Sequence, residues 1–165
     1  MKKIMMYCLL ACGIILGTIS IGNMVSEEGE KEVYTSNMSM NKEFPTPKLI
    51  AAKQISSNQI EITYDRDVDT KLATKPMNYW VQSTINEKIN GITTLGKDDK
   101  VLPENSLTDD KVKIEPVDGS KRVFTLTFNN DIIKDEEFKI IIYNVTVPGA
   151  PANNSDNGTV VLVGK

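Results

Sequence analysis

Few side chains in this chain are equipped for chemistry. None of its 165 residues is histidine, so the commonest general base and the commonest transition-metal ligand are both missing. The two cysteines, Cys8 and Cys12, sit inside an apolar N-terminal run. The rest of the chain therefore holds no thiol nucleophile, no disulfide and no thiolate metal site. Serine and threonine are plentiful, but without a histidine none has an evident activating base.

Carboxylates are the remaining reactive groups. Asp65, Asp67 and Asp69 alternate as the ligands of a calcium loop do, and hard oxygen donors suit Ca²⁺. No loop glycine and no bidentate acid follow at the EF-hand offset, so the stretch reads as a solvated acidic loop and no metal site is expected. Asp98-Asp99, Asp109-Asp110, Asp131 and Asp135 to Glu137 read as surface charge. Paired carboxylates could run glycoside hydrolysis. In a small domain this rich in acids such pairs arise by chance, and a two-layer β domain rarely offers the cleft an enzyme needs. No enzyme activity and no cofactor are expected. The one side chain with a specific binding chemistry is Trp80, the only tryptophan. It is either a surface anchor for a sugar ring or a protein partner, or a core residue of its strand.

The elements that would position these residues begin after two non-globular stretches. Residues 1–22 open with Lys2 and Lys3 and continue uncharged from Ile4 to Ile21, the pattern of an export segment. Its apolar run of roughly 18 residues is at the lower limit for a helix that spans a bilayer. Three fates stay open. Cleavage after Ser20-Ile21-Gly22 would release the protein, and retention would make the run a signal anchor. Lipidation would occur at Cys12, within the lipobox-like Leu9-Leu10-Ala11-Cys12-Gly13. Residues 23–47 are polar and charged, end in Phe44-Pro45-Thr46-Pro47, and read as a flexible tether.

Residues 48–165 carry period-two alternation broken by turn residues. Strands are expected at Leu49 to Ile55, Gln59 to Tyr64, Asn78 to Ser83, Lys111 to Val117, Lys121 to Phe128, Phe138 to Val147 and Thr159 to Val163. A weaker one is expected around Gly91 to Leu95. Asp118-Gly119 between two alternating runs predicts a β-hairpin, and Pro116 predicts that its strand lies at an edge or ends there. The run from Phe138 is apolar at nearly every position, as a strand covered on both faces would be. About seven strands without a convincing amphipathic helix predict an all-β, antiparallel sandwich. Its stability would rest on the apolar core alone.

The same residues resemble the bacterial Ig-like domain found in S-layer and other surface proteins of Gram-positive bacteria. The likeness lies in Gln59 to Tyr64 followed by the acidic loop Asp65-Arg66-Asp67-Val68-Asp69, in Asn78-Tyr79 and Val81 opening the third strand, and in Val123 to Phe128 and Phe138 to Ile142. It departs from the family in standing alone and in a long polar insertion between Gly96 and Asp110. The resemblance implies an Ig-like sandwich serving as a structural or interaction module, with no catalytic residue. It also implies that Tyr79 and Val81 point inward, and period two then turns Trp80 outward.

Charge narrows the partners. Of 19 lysines and arginines, two lie in the export segment, which leaves 17 against 22 acids. Such a surface lacks the basic footprint that binds nucleic acid and the polybasic cluster that holds a protein on anionic lipid. The expected partner is a surface protein or a glycan, met outside the cell or at its surface by a module for adhesion, scaffolding or sugar binding through Trp80. Membrane contact would come only through an uncleaved or lipidated N-terminus.

Overall fold

A computed structural model describes residues 43–165. The export segment, Cys8, Cys12 and most of the tether lie outside the described residues. Among those described, no helix is long and apolar enough to cross a membrane.

Seven strands form in chain order: β1 (Leu49–Ser56), β2 (Gln59–Tyr64), β3 (Tyr79–Ser83), β4 (Val112–Pro116), β5 (Val123–Phe128), β6 (Glu137–Tyr143) and β7 (Asp156–Val163). The only α-helix among the described residues is the single turn α1 (Thr70–Ala73), which Asp69 caps by accepting a hydrogen bond from the Leu72 amide at 3.1 Å. The strands make two antiparallel sheets, ordered β1-β2-β5-β4 and β3-β6-β7.

Alternation decides which side chains meet between the sheets. Ile60, Ile62 and Tyr64 from β2 and Phe124, Leu126 and Phe128 from β5 are buried, and their neighbours in the strand are partly exposed. Tyr79 and Val81 of β3 and Phe138, Ile140 and Ile142 of β6 join the same cluster. At roughly 1.5–3 kcal/mol for each large apolar side chain, this core supplies the main stabilisation of a domain with no crosslink. At its centre two tyrosines share hydroxyls. Tyr79 Oη donates to the Ala73 carbonyl at 2.5 Å and lies 3.0 Å from Tyr64 Oη, so the proton between the two rings comes from Tyr64. This chain ties α1 to both sheets.

Edges are managed by side chains. The edge strands β1 and β7 lie beside each other but share no backbone ladder. Asn157, fully buried, donates to the carbonyls of Pro47 and Val145 at 2.9 and 2.7 Å and accepts from the Val145 amide at 2.9 Å. At the other end, the Lys165 amide donates to Gln54 Oε1 at 2.9 Å.

Three local expectations meet the structure differently. The hairpin forms in register from Pro116 opposite Phe124, and both Asp118 and Gly119 take positive φ in its connection. β4 is indeed an edge strand and ends at Pro116. The weak strand around residues 91–95 is not a strand: only Leu95 makes a bridge, parallel, to Gln82. The run expected to continue to Val147 leaves the sheet at Asn144, where φ is 64°. Val145 is apolar because it packs in the core from outside the ladder.

Candidate functional site

The two outer faces of the protein differ. The outer face of β1-β2-β5-β4 alternates as a solvated sheet does, with Glu61 opposite Thr125 and Lys113 opposite Thr127. Ion pairs lie across it at Lys53–Glu61 (2.8 Å) and Lys113–Glu115 (2.9 Å). The outer face of β3-β6-β7 carries Trp80, Ile141 and Tyr143, and the segment between β3 and β4, residues 84–111, closes over part of it. Trp80, Leu95 and Ile141 form a second small core there, with Val101 and Tyr143 packed against it.

Trp80 lies in register with Ile141 of β6, between inward-facing Tyr79 and Val81. It is therefore turned away from the main core, yet only 4% exposed, because the covering segment shields it. Its indole N–H donates to the Leu102 carbonyl at 2.8 Å and to Asn105 Oδ1 at 3.1 Å. The Asn105 side chain in turn accepts from the Leu102 amide and donates to the Lys100 carbonyl, both at 2.9 Å. Gln82, next outward along β3, donates to the carbonyls of Gly96, Lys97 and Asp99 at 2.8–3.1 Å. Two outward side chains of one strand thus hold the cover by its backbone.

At the margin of this cover lies a shallow depression of about 280 Å³, lined by Trp80, Val101, Leu102, Pro103, Tyr143, Asn144 and Asn154. Tyr143 meets Trp80 edge to face, with centroids 5.8 Å apart. Apart from Trp80, none of these residues was singled out by number for a binding role in the sequence. The nearest available signal was the alternation that places Tyr143 two residues beyond Ile141. On the same outer face, Val161 and Val163 of β7 stay 53% and 49% exposed.

The acidic side chains are engaged separately. Asp65 accepts from the Lys48 amide at 2.8 Å and pairs with Arg66 at 2.6 Å, and this pairing pulls its carboxyl below the usual range. Asp67 pairs with Arg122 at 2.6 Å, and Asp69 caps α1. Asp99 accepts from the Gly96 amide at 2.7 Å, and Asp131 accepts from the Ser57 hydroxyl at 2.9 Å. A hydrogen bond from Thr108 is the main cause of the lowered Asp110 carboxyl. The upward shifts that burial causes fall on the phenols of Tyr64 and Tyr79, deep in the core. Among the described residues, no group of three or more acids, cysteines or histidines is placed to hold a metal ion.

No family model matches the chain, and no curated protein matches it. Solved structures of surface-layer proteins are similar to it. The N-terminal part of the bacterial S-layer protein SbsC is 14% identical with a TM-score of 0.49, and the match covers 72% of this chain and 23% of that one. A structure of the surface layer protein SbsC, domains 1-6, is 15% identical with a TM-score of 0.49, covering 72% of this chain and 14% of that one. The chain spans less than a quarter of either.

Proposed function

We propose that this chain is a non-enzymatic, Ig-like module displayed outside the cell, which works by holding a partner against the outer face of β3-β6-β7. The strand order β1-β2-β5-β4 and β3-β6-β7 supports the Ig-like assignment, since it follows the ABED and CFG sheets of a constant-type immunoglobulin domain. Lys2, Lys3 and the uncharged run from Ile4 to Ile21 support export. The observation that carries the contact reading is the asymmetry of the two faces. Away from its edge strand β1, where Ile50 and Ile55 are exposed, one is laced with threonines and ion pairs; the other leaves Val161 and Val163 about half exposed beside an apolar, covered strip. Exposed apolar groups gathered on one face mark contact surfaces.

The test is made on intact cells that carry the full chain. Added protease should remove the domain without lysis. A photo-crosslinking residue at Val161 should capture a discrete protein partner, and the same residue at Lys113 on the opposite face should not. Protection from protease, or equal labelling at both positions, would overturn the proposal. A second reading, recognition of a carbohydrate, is favoured by the depression beside Trp80.

A further inference from the structure

We infer that the depression bounded by Trp80, Tyr143, Val101 and Pro103 is a binding site for a neutral hexopyranose unit of a polysaccharide. This deepens the reading of the chain as a binding module and rests on it. Three features define the ligand class.

The first is the apolar wall. Tyr143, Val101, Leu102 and Pro103 form the open wall of one small concavity, with Trp80, only 4% exposed, set edge to face behind Tyr143. A pyranose ring presents a flat patch of C–H groups that packs on such a surface. The second is unused hydrogen-bonding capacity. The Tyr143 hydroxyl and the side-chain amides of Asn144 and Asn154 make no hydrogen bond to any described residue. Each amide offers two donors and an acceptor, and the phenol can do both, which suits sugar hydroxyls that donate and accept at once. The Trp80 N–H is already committed to Leu102 and Asn105 and the ring is buried, so the indole is the rigid backing that holds Tyr143 in place. The third is charge. No charged side chain lines the depression, so nothing there would offset the desolvation of an anionic sugar.

Asn144 has a further mark. It holds φ at 64°, a conformation that disfavours most side chains, at the point where the chain leaves β6. Glycine would take that conformation without strain, so the Asn144→Gly substitution removes the amide and keeps the turn.

Trp80 is the only tryptophan, so its fluorescence reports on this site alone. The full chain is titrated with the tetramer of N-acetylglucosamine, the tetramer of glucose and, as the anionic contrast, the tetramer of galacturonic acid. At least one neutral tetramer should shift Trp80 emission and saturate at millimolar concentration. Tyr143→Ala and Asn144→Gly should each weaken that binding about tenfold, the loss expected for a wall contact or a hydrogen-bonded pair, with thermal unfolding of Asn144→Gly unchanged. No response to either neutral sugar, an equal response to the galacturonate tetramer, or undiminished binding by both variants would overturn the assignment. If the sugars fail while crosslinking at Val161 persists, only this site falls. If both fail, the binding-module reading falls with it.

Discussion

Tyr64 and Tyr79 look interchangeable in the sequence, but the structure gives them unequal weight. Tyr79 Oη donates to the Ala73 carbonyl at 2.5 Å and accepts from Tyr64 Oη at 3.0 Å, and all three groups are buried. The Tyr79→Phe substitution strands two polar groups at once, the Tyr64 hydroxyl and the Ala73 carbonyl. At about 1–3 kcal/mol for each buried group left unpaired, the loss should come to about 3 kcal/mol. Tyr64→Phe removes only a donor. Tyr79 keeps its bond to Ala73, and the loss should be about 1 kcal/mol. The double variant leaves only Ala73 unpaired, so it should be no less stable than Tyr79→Phe alone, a coupling that a double-mutant cycle measures directly. Urea unfolding of the four proteins, followed by circular dichroism, gives these numbers. A Tyr64→Phe loss equal to or larger than that of Tyr79→Phe would refute the assigned direction of the hydrogen bonds.

Burial raises both phenols above their ordinary value near 10, so above that pH the unfolded chain sheds protons that the folded chain keeps. Their stabilisation is complete below pH 10 and should fall above it by about 1.4 kcal/mol per pH unit for each tyrosine, and alkaline urea titrations of Tyr64→Phe should show the shallower slope. The Thr146 hydroxyl is buried with no hydrogen-bond partner, so Thr146→Val should raise stability by about 1 kcal/mol, measured as an upward shift in the urea midpoint. A β-carbon on Gly164 would sit 2.0 Å from the Ile133 carbonyl oxygen, a backbone atom that cannot turn aside. Gly164→Ala should therefore cost about 2 kcal/mol or more in the same assay.

How much of this was legible in the sequence depends on where each stabilising contact lies along the chain. β2 and β5 could be read directly, because each buries every second side chain against the opposite sheet. The hairpin at Asp118-Gly119 could be read because a positive φ needs a residue that tolerates it. The end of β6 could not. Val145 stays apolar after the ladder stops, and only the backbone at Asn144 marks the exit. The alternating acids from Asp65 to Asp69 resemble a ligand set in sequence, yet their partners, Lys48, Arg66, Arg122 and Leu72, are divided between local and distant positions. Period two turned Trp80 outward correctly. Burial was one of the two readings left open for it, but the residues that cover it could not be read, because they belong to a polar segment without periodicity.

That segment decides which surface is left for a partner, and Gln82 is the residue that tests it. An outward strip of Trp80, Ile141 and Tyr143 would be an adhesive patch if bare. Residues 84–111 bury Ile92, Leu95 and Leu107, and between those anchors the segment is polar and is fastened by its backbone. Gln82 reaches three of their carbonyls, Trp80 and Asn105 hold Leu102, and the Thr94 and Leu95 amides donate to the Val81 carbonyl. Gln82→Leu removes the amide that reaches Gly96, Lys97 and Asp99 and leaves an apolar side chain under their carbonyls. The tyrosine centre and the β2–β5 ladder are untouched. Hydrogen exchange should then speed up at least tenfold for the Leu95, Lys97 and Leu102 amides and stay unchanged for Ile62 and Leu126. Acceleration at all five amides would mean that the cover and the sheets open together, and the cover would then be part of the cooperative core. Acceleration confined to the cover makes it a separately opening flap, and gives any ligand in the adjoining depression a direct means of stabilising it.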